Sequence, residues 1–321
     1  DTTNASRTQL MNLDSFAWDP DLIDWFGVPR PALPAILPSS GVFGHTARLG
    51  LLPAGLPIAA MIGDSHAALF AHASFRPDVT KATYGTGSSL MRRTARRAVS
   101  RFGLSSTIAW STPQRAEYGI EGNITMTGGA VQFTADLLGL PGAEAVAELA
   151  ATVNSNGGVY LVPAMAGLGA PYWRDDARGI ITGLSRGSAP AHIARAALES
   201  IAFQVRDVFH AMVQDTGQAP ASLLADGGAS RNDALMQFQA DILGCPVVRN
   251  LSADLSALGA AHLAGLATGI WSNTSDLERL PRQEQRFEPR MPESERTALC
   301  QRWRAAVEQV LGAGPGEEMG A

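Results

Sequence analysis

Three short segments, far apart in the chain, carry polar and glycine residues whose types and spacing suit nucleotide chemistry. They are Gly63-Asp64-Ser65-His66, Tyr84-Gly85-Thr86-Gly87-Ser88-Ser89, and Asp226-Gly227-Gly228-Ala229-Ser230-Arg231-Asn232. Glycines let main-chain N–H groups approach an anion, a carboxylate can accept a proton, and an amide can hydrogen-bond a base or ribose. Together the segments predict half of a nucleotide site, which none of them predicts alone.

The middle segment is the candidate phosphate loop. An extended run from Lys81 to Tyr84 is broken by Gly85 and Gly87 around Thr86. This pattern brings main-chain N–H groups and a hydroxyl close to an anion. An ordinary hairpin turn is the alternative, because Gly-x-Gly is frequent in a chain with 33 glycines.

The first segment follows a candidate strand. The apolar run from Leu56 to Ile62 predicts a strand buried on both faces, and a helix-like run from Ala67 to Ala71 comes after Gly63-Asp64. Asp64 is therefore expected at the carboxyl end of a strand, where open α/β sheets bind ligands. The alternative role for Asp64 is to cap the helix.

The third segment repeats this design. Leu223-Leu224-Ala225 predicts a short strand, and the chain then turns at Asp226-Gly227-Gly228 into a helix with apolar Leu235, Phe238 and Ile242. Without a side chain at Gly228, a purine can lie against the backbone, and Asn232 can hydrogen-bond its edge or the ribose. The alternative is a helix start that merely requires tight packing.

Nearly the whole chain up to Trp271 resembles the FGGY family of carbohydrate kinases, within it the glycerol-kinase-like branch. Besides the segments above, the matching stretches are Thr3-Asn4-Ala5-Ser6-Arg7-Thr8, Glu121-Gly122, Gly128 to Gln132, Gly167 to Trp173, His192 to Ala202, Leu235 to Gly244 and Ala257 to Ala261. The resemblance implies an α/β protein with the actin-like, ribonuclease-H-like ATPase fold. In that fold two domains close over a cleft, and ATP, bound with Mg²⁺, phosphorylates a hydroxyl of a sugar or polyol.

The resemblance also implies a role for each matching site residue. Asp64 would be the general base for the attacking hydroxyl, since a carboxylate is ionised at neutral pH and phosphoryl transfer depends mainly on positioning and charge. The nucleotide set is Thr86 and Gly87 at the phosphates, Gly128 and Gln132 near the nucleotide, and Gly228 and Asn232 at the adenosine. No residue is assigned as a protein ligand of a metal.

Two positions depart from the glycerol-kinase pattern and affect the expected substrate. Ser65 and Ser89 stand where glycerol kinases typically have Gln and Phe. With Asp64 they form the predicted substrate-binding set, and loss of a ring enlarges the pocket while adding a hydroxyl. A pentitol, a ketopentose such as xylulose, or a tetritol is therefore expected ahead of glycerol. The alternative is that Ser89 only packs in a turn.

The chain begins at Asp1 within a family segment, and the earlier part of the family pattern, with its first phosphate loop, precedes that point. We therefore expect a kinase portion that needs the N-terminal region and is inactive alone. The expected division is 1–73 as the closing portion of the substrate domain, 74–275 as the nucleotide-binding domain, and 276–321 as a peripheral helix and flexible tail.

Helical spacing is clearest from Ala191 to Thr216. Ser188 is the expected cap, Pro190 lies in the first turn, and Gly217 ends the helix. Polar residues beside its apolar stripe, including Glu199, are expected to face solvent or a domain seam.

Composition is that of a globular α/β protein. Of 321 residues 45% are hydrophobic and 17% charged, and the net charge is −5. No nucleic-acid partner is expected, and the arginines at 92, 93, 96 and 97 are interpreted as a solvated bend. No apolar run reaches the roughly 20 residues that span a bilayer, so no membrane partner is expected. Cys245 and Cys300 form no metal pattern and fit a reducing cytoplasm. The sequence leaves the oligomeric state open, with a homo-oligomer as one alternative.

Rival functions come from other classes. A non-enzymatic actin-like nucleotide-binding protein and a degenerate regulatory kinase are both alternatives, and a degenerate kinase would be expected to lose Asp64, which is present. A glycine-rich loop from Pro163 to Gly179 carries Tyr172 and Trp173, which would allow a sugar-binding module that stacks on aromatic rings. In the resembling family this loop shapes the second domain, where Trp173 is expected to pack.

Overall fold

Helices and strands are interspersed along the chain, with four consecutive strands between Val79 and Ile124. The computed structural model describes residues 1–72, 75, 79–252 and 254–312. Its helices are α1 (Thr2–Ala5), α2 (Pro20–Trp25), α3 (Asp64–Ala71), α4 (Gly128–Leu138), α5 (Ala143–Ala150), α6 (Pro190–Thr216), α7 (Asp233–Leu243), α8 (Leu255–Ala267), α9 (Thr274–Glu278) and α10 (Glu293–Gly312), with 3-10 turns at Arg30–Ala32 and Ala229–Arg231. Its strands are β1 (Met11–Asn12), β2 (Ala17–Trp18), β3 (Ser40–His45), β4 (Pro57–Ala60), β5 (Val79–Tyr84), β6 (Ser88–Thr94), β7 (Ser105–Ser111), β8 (Ala116–Ile124), β9 (Tyr160–Val162), β10 (Ile180–Thr182), β11 (Ser222–Asp226), β12 (Val247–Asn250) and β13 (Glu284–Phe287).

A seven-stranded mixed sheet forms the centre of the protein, with the order β13-β12-β11-β5-β6-β8-β7. The strands β5, β11 and β12 are parallel, and the other neighbours pair antiparallel. In the β5–β11 register Asp226 lies opposite Thr83. The carboxyl ends of β5 and β11 therefore meet at one edge, and both glycine-rich segments leave the sheet there.

The strand before Asp64 is less buried than its apolar sequence predicts. β4 pairs antiparallel with β3 in a two-stranded sheet. Within β4 only Ala59 is fully buried, while the Ile58 side chain is 44% exposed. The expectation of a strand buried on both faces is wrong, because burial depends on which other elements cover the strand and not on its own hydrophobicity.

Helix α3, which begins at Asp64, is held by close backbone packing. All its residues from His66 to Ala71 are buried. It packs on α8, where a Cβ built at Gly259 would lie 1.9 Å from the Ala67 carbonyl oxygen. The Ser256 hydroxyl, also on α8, donates to the Asp64 carbonyl at 2.9 Å. The position of Asp64 is therefore coupled to the spacing between α3 and α8.

The predicted long helix is present as α6, from Pro190 to Thr216, and it ends at Gly217 in the left-handed conformation. Its N-cap is Ala189 and not Ser188, and the His192 ring accepts the Ala189 N–H at 2.9 Å. Glu199 does not face solvent. It is buried and accepts hydrogen bonds from Arg195 and Asn156 at 2.8 Å each, so it has a structural role.

The C-terminal segment contributes to both the sheet and the core. β13 pairs with β12, and α10 buries Trp303, whose ring stacks on Phe203 at 5.1 Å. The Trp303 indole N–H donates to Asp207 at 2.7 Å. Residues 313–321 of the expected tail, and the expected domain boundary at 73/74, lie outside the described residues, and the three-part division stays a prediction.

The prediction of a solvated bend holds for only two of the four arginines at the end of β6. Arg96 and Arg97 are exposed, but Arg92 is 1% exposed and Arg93 is half-buried. Alternation along β6 turns Arg92 inward toward the end of α6, where its guanidinium donates to Thr216 and to the Gln218 carbonyl.

Candidate functional site

The structure brings the second and third segments together at the carboxyl edge of β5 and β11. Gly227 has φ +91°, and a Cβ there would lie 2.5 Å from the Tyr84 carbonyl oxygen. Only glycine fits both that conformation and that approach. Gly227 therefore fixes the turn after β11 against the end of β5.

Gly228, the next residue, has the opposite environment. Its backbone is right-handed helical (φ −61°, ψ −48°), and an added Cβ would have no atom of the described residues, its two chain neighbours aside, within 4 Å. A small groove with a volume of about 80 Å³ lies between α5, α6 and α7, and its lining includes Ala147, Ala150, Leu198, Asn232, Leu235 and Phe238. Most of the lining is apolar, and Arg195, Glu199 and Asn232 are its polar residues, a composition that suits one face of a flat heterocycle.

Asn232 lines this groove and also begins α7. Its Oδ1 accepts the Leu235 N–H at 2.9 Å as the helix cap. Its Nδ2 has no hydrogen-bond partner among the described residues, so the amide retains donors for a ligand.

The segment Gly85-Thr86-Gly87 is a three-residue hairpin loop, since Tyr84 pairs with Ser88 across β5 and β6. A Cβ at Gly87 would lie 2.4 Å from the Ile124 carbonyl oxygen, and a Cβ at Gly128 would lie 2.6 Å from that of Gly85. The N–H groups of Gly128 and Gly129 donate to the carbonyls of Gly85 and Thr86 at 3.0 and 2.9 Å. The loop is thus clamped onto the start of α4, and its glycines are required by that contact.

Two side chains of this region remain open to solvent. Thr86 is exposed at the hairpin tip, and its hydroxyl has no hydrogen-bond partner in the described part of the chain. Gln132 is exposed one turn into α4, on the same face as Gly128, and its Nε2 donates to Asp136 at 2.9 Å. Both side chains are accessible to a ligand above the loop.

Asp64 is the first residue of α3, with Gly63 as the N-cap, so it is not itself the cap. Its carboxylate is exposed and accepts the Ser65 N–H at 2.7 Å. The Gly63 N–H donates to Thr3 at 2.9 Å, and the Thr3 hydroxyl donates to Asp1 at 2.9 Å. The N-terminal segment therefore fixes the turn that presents Asp64.

A buried polar network joins α3 to the sheet edge. The Lys81 ammonium, which is 0% exposed, donates to the Thr83 hydroxyl at 2.7 Å, and His72 lies 2.9 Å from Asp226. Burial lowers the pKa of Lys81, and the charges of Asp226, Glu121 and Asp64 oppose that shift. For Asp226 burial raises the pKa, but the His72 hydrogen bond and the Lys81 charge outweigh it, so the pKa is lowered. Asp226 is thereby held as a carboxylate.

Ser89 lies one residue into β6 and donates to Glu121 at 2.9 Å. The Arg7 guanidinium is 3.1 Å from the other carboxylate oxygen of Glu121, whose side chain is 5% exposed. His66 bonds Thr107 at 3.2 Å, and burial lowers its pKa to about 4. His66 is therefore a neutral, buried hydrogen-bonding residue.

Sequence reasoning missed the roles of Lys81, His72 and Arg7. Lys81 carried a usable signal, because a lysine within a central strand of a two-sided sheet must be buried and so must find partners. His72 carried no such signal, since its bond to Asp226 spans more than 150 residues of sequence.

The glycine-rich loop at 163–179 is tied to helix α6 through Tyr172, which donates to Asp207 at 2.9 Å. The Trp173 ring is 51% exposed, although its indole N–H donates to the Gly103 carbonyl at 2.7 Å. The expectation that Trp173 is packed holds only for its nitrogen edge.

Among the described residues no helix is both long and apolar enough to cross a membrane. The family model for the C-terminal domain of the FGGY family of carbohydrate kinases matches residues 80–268. The family model for the N-terminal domain of the same family matches residues 1–71.

The chain is 49% identical over 314 residues to a glycerol kinase of Symbiobacterium thermophilum, a match covering 97% of this chain and 63% of that protein. It is 47% identical over 309 residues to an apulose kinase of Pectobacterium atrosepticum, covering 96% and 62%. The crystal structure of Plasmodium falciparum glycerol kinase with ADP superposes with a TM-score of 0.88 at 32% identity, covering 97% of this chain and 63% of that one. The chain thus spans less than two thirds of these relatives. The predicted actin-like α/β fold is confirmed.

Proposed function

Because the chain belongs to the FGGY family of carbohydrate kinases, we propose that it carries the nucleotide-binding part of an enzyme that phosphorylates a hydroxyl of a sugar or polyol with ATP. The observation that carries this proposal is the open space at Gly228, which follows a fully packed glycine and lies four residues before Asn232, a residue of the groove lining. We also propose the domain division at 73/74 and a cytoplasmic location, where ATP is available.

The described residues fit a nucleotide. The open space at Gly228 leaves room for the adenine against the backbone, and Nδ2 of Asn232 donates to the base or ribose. Thr86 and Gly87 lie at the phosphates, with Gly128 and Gln132 on the adjoining helix. Bound ATP supplies the phosphoryl group, and Mg²⁺ binds with its phosphates and offsets their negative charge.

Asp64 acts as the general base. It is exposed at the start of a rigid helix, so it can reach a substrate hydroxyl, while Ser65 and the Thr3–Asp1 contacts fix its turn. Asp64 accepts the hydroxyl proton as the substrate oxygen bonds to phosphorus and the bond to ADP breaks.

Substrate choice is proposed to depend on the Ser89 hydroxyl, which Glu121 orients. Ser89 already donates to Glu121, so the Ser89 oxygen can accept a hydrogen bond from a further substrate hydroxyl. A longer substrate than glycerol, such as a pentitol, xylulose or a tetritol, supplies that hydroxyl. Relatives named as glycerol kinase and as apulose kinase match this chain at 49% and 47% identity. The Ser89 hydroxyl favours the sugar over glycerol.

The test is Asp64→Asn in this chain joined to the region of a glycerol kinase relative that it does not span. Transfer from ATP to a panel of polyols and ketoses is expected to fall by about 10²- to 10⁴-fold, the usual contribution of a general base. Mg-ADP affinity should stay within about twofold, because Asp64 does not touch the groove.

Asp21→Asn is the matched control, since Asp21 is also an exposed acid in the first turn of a helix. It should change neither quantity. Equal losses of transfer and Mg-ADP binding in Asp64→Asn would mean that Asp64 is structural, and unchanged transfer would refute its role as a base.

A further inference from the structure

A second groove opens at the far end of β6, away from the hairpin loop. Its volume is about 630 Å³, within the range of pockets that bind small molecules. The polar residues of its lining are Arg92, Arg93, Thr94, Arg96 and Arg97, from β6 and the turn after it, and Asp215, Thr216 and Gln218, from the end of α6.

This second groove is positively charged although the chain has a net charge of −5. Four arginines line it, against the single carboxylate of Asp215. That carboxylate is already engaged, because the Ser100 hydroxyl and the Arg101 N–H donate to it at 2.5 and 2.8 Å. The lining is therefore suited to an anion.

The four arginines differ in how many contacts they already make within the protein. Arg93 donates to Glu117 at 2.6 Å, and Arg97 pairs with Asp14. Arg96 is exposed and forms no ion pair within the described part of the chain. Arg92 is held by Thr216 and the Gln218 carbonyl at 2.9 and 2.7 Å. The Arg92 guanidinium is thus held in a fixed position, whereas the Arg96 guanidinium remains available to a ligand.

Two buried polar atoms at this groove lack partners. The Thr94 hydroxyl, in a residue that is 9% exposed, and the Nε of Arg93 have no hydrogen-bond partner among the described residues. A buried polar group without a partner destabilises the fold. Successive residues of a strand face opposite sides of the sheet, so Thr94 lies on the same face as Arg92, and Arg93 lies on the other. The Thr94 hydroxyl is therefore the unpartnered donor that an oxyanion beside Arg92 can satisfy.

We propose that this groove is a separate binding site for a small phosphorylated molecule. Phosphate oxygens accept from hydroxyl and guanidinium donors, and the planar guanidinium matches them better than any other side chain. The remaining volume accommodates the organic part of a phosphate ester. Thr94 stands six residues after Ser88 on an extended strand, about 20 Å away, so the site is distinct from the hairpin loop.

The experiment titrates inorganic phosphate into the 321-residue chain saturated with Mg-ADP, so that the nucleotide site is already filled. Heat of binding and melting temperature are followed at low and high chloride. We expect binding that weakens with salt and a rise in melting temperature that follows ligand concentration. Thr94→Val, which keeps the side-chain shape, and Arg96→Ala, at an exposed position, should each weaken phosphate binding by about tenfold.

Thr80→Val is the matched control. Thr80 on β5 is also a buried threonine whose hydroxyl lacks a partner among the described residues, but it does not line this groove. Without phosphate both valine variants should melt at or above the parent temperature, whereas only Thr94→Val should lose phosphate binding. Equal phosphate affinity in the parent, Thr94→Val and Arg96→Ala would overturn the proposal, as would no binding at millimolar phosphate, or arginine-dependent binding of an oligonucleotide without any response to phosphate.

Discussion

The two adjacent glycines after β11 should respond in opposite ways to an added side chain. In Gly228→Val the new atoms enter open space, and the backbone is already in the right-handed helical region. Replacing glycine there restricts the unfolded chain, which typically stabilises a protein by up to about 1 kcal/mol. We therefore expect Gly228→Val to melt at or slightly above the parent temperature.

Nucleotide binding should nevertheless be lost in Gly228→Val. If the adenine lies against the backbone at Gly228, the valine side chain occupies its volume. Forcing extra methyl groups into a filled space costs about 1–3 kcal/mol, which corresponds to about a ten- to hundredfold weaker Mg-ADP affinity. Calorimetric titration with Mg-ADP measures the affinity, and a thermal melt of the same sample measures stability.

Gly227→Ala is the comparison. Its Cβ would lie 2.5 Å from the Tyr84 carbonyl oxygen, at a φ of +91°, so the turn must move and stability should fall by about 1–3 kcal/mol. Parental Mg-ADP affinity in a folded Gly228→Val would refute the adenosine assignment. A Gly227→Ala variant as stable as the parent would show that the turn is not held against β5 as described.

Two further predictions concern elements that support the site. Burial raises the pKa of Asp207 to about 6, so its proton stabilises the fold fully below about pH 4, and that stabilisation is lost as the pH rises through 6. Asp207→Asn should therefore raise the free energy of unfolding, measured by urea denaturation, by about 3 kcal/mol at neutral pH. It should also reduce the change of that free energy between about pH 4 and 6. The same pH dependence in the variant and the parent would contradict this. Gly259→Ala places a methyl 1.9 Å from the Ala67 carbonyl oxygen, so it should cost about 1–3 kcal/mol and, by displacing α3, reduce transfer more than Mg-ADP affinity; a parental melting temperature would contradict it.

Local signals in the sequence predicted the elements that depend on local chemistry. The apolar spacing and the terminal Gly217 were sufficient to predict α6, and the local sequence was sufficient to predict β11 and the helix after it. The predictions that failed concern which elements cover a strand and which residues meet from distant parts of the chain. The apolar run around β4 predicted double burial, but only neighbouring elements can supply that, and β4 pairs with β3 alone among the described strands.

Several alternatives that the sequence left open are not exclusive, because different atoms of one residue serve different purposes. In Asn232 the Oδ1 caps α7 while Nδ2 has no partner among the described residues. The hairpin at 85–87 is an ordinary turn whose carbonyls bond α4, yet its Thr86 hydroxyl is exposed at the tip. A cap or a tight turn is what gives such a group a fixed position. Structural roles at these residues therefore support the proposed site, and a test must change the free atom while leaving the bonded one in place.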